Sequence, residues 1–323
     1  MTQVWPDTTE HTPIATTTSP LRWTNASGIL SSDLARRLHR HQHNASLPIA
    51  HTWFRNRFGL GSDLHVWSQA LCNAMELGYR LETVGKWIWA PNGLSSLFSM
   101  AQLVSSTSST AVYNVSRGKG RVGHECPQLM QQYNVSEWRR ASMEFLFQSL
   151  SPSILQEAER QHRLVFDGRP TPSPLFTVHV RWGDKADEAQ RIPMERYIEA
   201  VRALSLEHGD DEPVHVYLAT EDPEAVHAWQ RAVPSNWTTY VDQVYYEGLP
   251  YRQDEYNNNP HLAQKLPNLG VQALASLLVA LEANDFVLTT SSNWSRLMNE
   301  LRQSVLEGRG ISTRLIDLQP GEW

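Results

Sequence analysis

Residues 175–197 read LFTVHVRWGDKADEAQRIPMERY, and this stretch decides the fold. An apolar run over 175–180 ends abruptly in Arg181, Asp184, Lys185, Asp187 and Glu188. The run reads as a buried strand, and the segment PMERYIEAVRALSLEHG that follows reads as a helix opened by Pro193.

The same alternation continues downstream. VHVYLAT (214–220) is a second strand, and EDPEAVHAWQRAV (221–233) a helix with Asp222 as N-cap and Pro223 in its first position. NLGVQALASLLVALEAND (268–285) is a mostly apolar helix, FVLTT (286–290) a strand and SSNWSRLMNELRQSV (291–305) another helix. Apolar strands alternating with helices imply a parallel sheet covered on both faces. Such sheets bind ligands outside the carboxyl ends of their strands. Three strand-end loops therefore gather, at 181–188, 220–222 and 289–293.

Upstream, DGRPTPSP (167–174) holds three prolines and one glycine and marks a domain boundary. The expected organisation is a flexible lead-in (1–20), an N-terminal open α/β domain (21–170) and a C-terminal Rossmann-like domain (171–323). In the N-terminal part, SSDLARRLHRHQH (31–43) carries a helix start signal, and His39, His41 and His43 read as its exposed basic end. Gly59 and Gly61 read as a turn before a helix with Leu64, Trp67, Leu71, Ala74 and Met75 at helical spacing, stopped by Gly78. YRLETV (79–84) reads as a strand, 104–123 as an exposed loop, and 136–166 as one or two helices interrupted near Pro152.

The charged cluster has a chemical logic. Arginine offers a planar fork to phosphate oxygens and lysine a compact charge for the same anion. A carboxylate beside them repels phosphate, so its use lies in taking a proton from a second substrate. In the loop at 289–293, Ser291 and Ser292 open a helix whose free N–H groups and dipole suit a phosphate, although a serine there also serves as a plain N-cap. No Asp-x-Asp at a strand end and no close His/Cys ligand spacing occurs, so no metal or other cofactor is expected.

Composition narrows the class. The 323 residues are 41% hydrophobic and 19% charged, the balance of a globular chain. A net charge of -6 argues against nucleic-acid binding through bulk positive charge. No apolar run approaches the roughly 20 residues that cross a bilayer, and the first 20 residues show no signal-peptide pattern. Six N-x-S/T sequons, at Asn25, Asn44, Asn114, Asn134, Asn236 and Asn293, hint at the secretory pathway. Cys72 and Cys126 are compatible with one bridge or with two buried thiols.

Five segments in order resemble the metal-independent alpha-1,6-fucosyltransferases that core-fucosylate N-glycans, together with the bacterial nodulation fucosyltransferases. HVRWGDK (179–185) is similar to that family's H-V-R-R-x-D-K, IPMERYIEAV to its H-P-I-E-E-Y segment, and VYLATEDP to V-Y-L-A-T-D-D-P. NDFVLTTSSNWSRLMNEL resembles A-D-F-L-V-C-T-F-S-S-x-x-x-R, and GLGSDLH followed by KWIWA resembles G-x-G-x-Q-L-H and W-R-Y-A.

The resemblance implies a two-domain glycosyltransferase B-type architecture, with the donor nucleotide on the Rossmann-like domain. It implies inverting transfer of fucose from GDP-fucose to a GlcNAc-containing glycan, alpha-1,6 to the core GlcNAc of N-glycans, in the Golgi lumen. Arg181 and Lys185 would contact the donor diphosphate, Ser292 would help to hold it, and His179 would lie near the guanine. Asp184, Thr220 and Ser291 complete the expected donor-binding set, and Glu188 would be the catalytic base with Asp187 as the alternative. The chain departs from the family at Trp182, where a second arginine is usual, and at Leu277, where an aspartate reads the base. Between Lys185 and Glu188 it is one residue short. Rival readings are the same scaffold with another nucleotide sugar or a peptide hydroxyl acceptor, and a glycan-binding relative without turnover.

Overall fold

The computed structural model describes residues 21–23, 30–53, 59–85, 87–90, 92–99, 113–114, 126–182, 191–209, 212–242 and 268–321. Two parallel sheets organise them. The smaller has the order β2-β1-β3, from β1 (Ile49–Thr52), β2 (Arg80–Thr83) and β3 (Tyr113–Asn114). Around it stand α1 (Asp33–Gln42), α2 (Leu60–Glu76), α3 (Pro127–Gln132) and α4 (Val135–Phe147).

Local chemistry explains the starts and stops. Ser32 caps α1 by accepting from the Ala35 N–H, and Leu34 and Leu38 turn inward. Asn134 and Glu137 form a reciprocal capping box on α4. Gly78, at φ 75°, follows the end of α2 as expected. Gly61, read from sequence as part of a turn, lies instead inside the first turn of α2. The histidine-rich end of α1 is also less exposed than its composition implies, because the His41 imidazole Nε2 lies 2.8 Å from the Tyr79 carbonyl.

Pro152 does divide the region 136–166, since α5 (Pro152–Val165) begins there as a separate helix. The larger sheet follows, built from β4 (Leu175–His179), β5 (His215–Ala219), β6 (Thr238–Val241), β7 (Asp285–Leu288) and β8 (Arg314–Asp317). Its order is β6-β5-β4-β7-β8, all parallel, which is Rossmann-like. The fold class is α/β.

Both faces of the larger sheet are covered, as the apolar strands require. Phe176, Val178 and Val180 pack with α6 (Met194–Ser205) and α7 (Pro223–Ala232) on one side. Leu175, Tyr217, Phe286 and Leu288 face the opposite core with α8 (Leu269–Ala280) and α9 (Asn293–Leu301). The strand's two-residue period decides which side chain goes where. That second core is continuous with residues of α1, α2, α4 and α5.

Candidate functional site

The chain runs from β4 outward through β5 to β6, then returns to place β7 on the other side of β4. The crevice outside the carboxyl ends of β4 and β7 is therefore the sheet's topological switch point, where open α/β sheets bind ligands.

Arg181 lies two residues past the end of β4. Its guanidinium Nη1 is hydrogen-bonded to the Glu221 carboxylate just past β5, and side-chain exposures of 18% and 31% leave both reachable from solvent. Trp182 turns the other way. It joins the core beneath α6 and α7, its indole N–H donates to the Ile192 carbonyl at 3.1 Å, and the Arg191 guanidinium lies 5.1 Å from its ring centre. Trp182 is thus a packing residue.

His179, the last residue of β4, is buried and faces α9. Its Nδ1 lies 2.6 Å from the Ser295 hydroxyl, which also accepts from the Thr289 N–H at 3.2 Å. Burial, with the Arg181 charge adding to it, pushes the imidazole down to about 3, so it is neutral at any ordinary pH. Through Ser295, His179 supports the β7–α9 connection.

Thr220 is buried as well, its hydroxyl donating to the Val180 carbonyl at 2.8 Å and accepting from the Asp222 N–H at 3.2 Å. It ties the β5 end to the β4 end and so holds the Arg181 and Glu221 backbones in register. Asp222 caps α7 through the Glu224 N–H, as its sequence position predicts.

The 289–293 loop is held from the C-terminal edge of the sheet. The Thr290 N–H and hydroxyl both bond to Asp317, at the end of β8. Ser291 bonds to Gln319 twice, through its N–H to the carbonyl at 2.9 Å and through its hydroxyl to Oε1 at 2.8 Å. The Ser292 N–H bonds to the Thr289 carbonyl at 2.9 Å. With the Thr289 N–H on Ser295, four backbone donors of this loop are therefore used within the protein.

What remains for an anion is the start of α9. Ser292 occupies the N-cap position but makes no side-chain cap hydrogen bond. The N–H groups of Asn293, Trp294 and Ser295 lie in the first helical turn, which has no intrahelical acceptors. Arg296 buttresses this turn, donating from Nε to the Thr290 carbonyl at 2.5 Å and from Nη1 to the Asn293 amide oxygen at 3.2 Å. Ser292 and Arg181 thus stand at the ends of adjacent strands.

Asp184, Lys185, Asp187 and Glu188 lie outside the described residues. Leu277 is fully buried in α8. The residues that sequence reasoning did not single out are Glu221, Ser295, Asp317 and Gln319. Only Glu221 had a visible signal, its place directly after a strand end. Among the described residues no group of His, Cys, Asp or Glu gathers as a metal site, and no helix is long and apolar enough to cross a membrane.

The chain matches no protein-family model and no curated protein sequence. In outline it is similar to a NodZ alpha-1,6-fucosyltransferase co-crystallized with GDP, with 13% identity and a TM-score of 0.47 over 84% of this chain and 95% of the other. It is likewise similar to the selenomethionine form of fucosyltransferase NodZ from Bradyrhizobium, with 14% identity and a TM-score of 0.45 over 86% and 98%. The apo form of POFUT1 is a third such structure, with 10% identity and a TM-score of 0.44 over 84% and 98%. The likeness is one of fold outline alone.

Proposed function

We propose that the protein is an inverting, metal-independent fucosyltransferase that uses GDP-fucose and a GlcNAc-containing glycan, with the core GlcNAc of N-glycans as acceptor and an alpha-1,6 linkage as product. The observation that carries this reading is the pair at the switch point. Arg181 lies two residues past the end of β4, and Ser292, an N-cap without a cap bond, opens α9 after β7. A guanidinium and a helix N-terminus on adjacent strand ends suit a leaving diphosphate. The five ordered sequence segments supply the donor and acceptor class.

In the proposed step the acceptor hydroxyl gives its proton to Glu188, and its oxygen forms a bond to the anomeric carbon. The bond from that carbon to the diphosphate oxygen breaks, and GDP leaves with the electron pair. Arg181, Lys185 and the first turn of α9 stabilise the charge that develops on the diphosphate. Residues 21–170 would serve the acceptor and 171–323 the donor.

The Cys72–Cys126 disulfide supports residence in an oxidising compartment such as the Golgi lumen, since such bonds persist there. Asn293, although it heads a sequon, is proposed to be unglycosylated. Its amide is bonded to Ser62 and Arg296, and the Ser295 hydroxyl of the same sequon is buried against His179.

Incubation with GDP-fucose and a truncated N-glycan, followed by mapping of the new linkage, tests the reading. Fucose on O6 of the innermost GlcNAc is the expected product. Exclusive use of a uridine donor, or donor binding with no transfer to any GlcNAc acceptor, would replace it with one of the rival readings.

A further inference from the structure

The first two turns of α2 converge on one residue, Asn293, more than two hundred positions away in sequence. Gly61 comes so close that a Cβ there would sit 2.9 Å from the Asn293 carbonyl oxygen. Ser62 accepts from the Asn293 amide Nδ2 at 2.6 Å. His65, one turn further on, has Nδ1 3.0 Å from the Asn293 amide oxygen and Nε2 3.0 Å from a Glu300 carboxylate oxygen. The His65 and Glu300 side chains are only 4% and 3% exposed.

Gly61, Ser62 and His65 share one helical face by their spacing. Arg296 donates only, so it fixes the Asn293 amide with its oxygen toward both Arg296 and His65. Asn293 is the first residue of α9, directly after Ser292. A side chain held on three sides at that point sets where the helix begins and where its free N–H groups aim.

We infer that His65 is a positioning residue, which acts through Asn293 to hold the start of α9 in the geometry that receives the donor diphosphate. The inference rests on the diphosphate reading given above for what the loop receives. His65 acts without touching donor or acceptor. It links Asn293, at the helix start, to Glu300, two turns along the same helix, and ties both to α2. An apolar residue at position 65 would leave a buried carboxylate without this partner and the amide held by Ser62 and Arg296 alone.

Two readouts on the full chain test it. The variants are His65→Ala, His65→Gln, which keeps one donor, and Asn293→Ala, which removes the amide and leaves the His65–Glu300 pair intact. Hydrogen exchange without ligand is expected to speed up selectively at 289–293 in His65→Ala and Asn293→Ala, with His65→Gln intermediate. Calorimetry with GDP, on protein held well below its melting temperature, is expected to give a Kd raised roughly tenfold, as one lost buried hydrogen bond implies. The His65→Ala/Asn293→Ala double variant should lose less than the sum of the two singles, because the His65–Asn293 link they share is lost only once.

Should His65→Ala fail to fold, Asn293→Ala and His65→Gln carry the same comparison. Folded variants whose 289–293 exchange is unchanged overturn the positioning role, as does a strictly additive double variant. A wild-type chain that binds no GDP sinks the diphosphate reading instead, and the exchange result still decides the clamp.

Discussion

Arg181 and Glu221 pair across the ends of two adjacent strands, so the cation best placed for a diphosphate is already engaged by a carboxylate. The pair is partly exposed, which leaves the guanidinium free to exchange partners at modest cost. Arg181→Ala is expected to lower turnover by about 10²- to 10³-fold, the usual loss of one preorganised donor to a leaving group, with the fold intact. Glu221→Gln is expected to tighten GDP binding several-fold, because a competing negative charge is removed. Calorimetry and single-turnover kinetics on the two variants check both signs, and unaltered transfer by Arg181→Ala would sink the site.

His179 makes stability fall on the acid side. The unfolded imidazole takes a proton near pH 6.5 and the folded one only near 3, so between these values the unfolded chain binds more protons. Its contribution is complete above pH 6.5 and is lost as pH falls toward 3. Other histidines titrate too, so the informative quantity is the difference from a variant. His179→Asn is expected to melt lower than wild type at pH 7 and to lose less stability between pH 6.5 and 4. Parallel melting curves across that range would refute the assignment.

Glu282 works in the opposite direction. It follows α8, buried, with one carboxylate oxygen accepting from the Arg22 N–H at 2.8 Å. Burial pushes its carboxyl up to about 7, against the pull of Arg22. Its folded value lies above the unfolded one, so its contribution is complete below about pH 4.5 and fades as pH rises through 7. Glu282→Gln is therefore expected to gain on wild type as pH climbs from 5 to 8.5, by a few degrees in Tm, on the order expected for 1–2 kcal/mol. A gap that shrinks with rising pH would reverse the sign and refute it.

The Cys72–Cys126 disulfide joins α2 to the start of α3 and closes a loop with a sequence separation of 54. A bridge of that span stabilises by about 4 kcal/mol in the chain-entropy model. The Cys72→Ala/Cys126→Ala variant, or wild type after full reduction, is expected to melt well below the oxidised protein. An unchanged Tm in calorimetry would show that neighbouring packing already imposes the restraint.

Much of the C-terminal sheet was legible because its central strands are buried on both faces. LFTVHV and FVLTT are apolar runs for that reason, and Asp222-Pro223 announces α7 by local capping chemistry alone. The edges escaped notice. β6 is TTYV and β8 is RLID, half-exposed segments with no apolar run to signal them. With β8 went its consequence, that Asp317 and Gln319 hold the strand-end loop. Ser291 and Ser292 looked equivalent as letters, yet one hydroxyl is tied to Gln319 and the other is free of a cap bond.

The order of residues along the chain was enough to read the central strands of the larger sheet and the helices between them, because hydrophobic period, proline and N-cap chemistry act within a few residues. It also settled which strand ends would carry charge. Contacts between distant segments were decided by packing alone. The Arg181–Glu221 pair spans 40 positions, His179–Ser295 spans 116 and His65–Asn293 spans 228. Such links exist only once the sheet order brings β4 between β5 and β7 and lays α2 against α9, and nothing local in the chain encodes them.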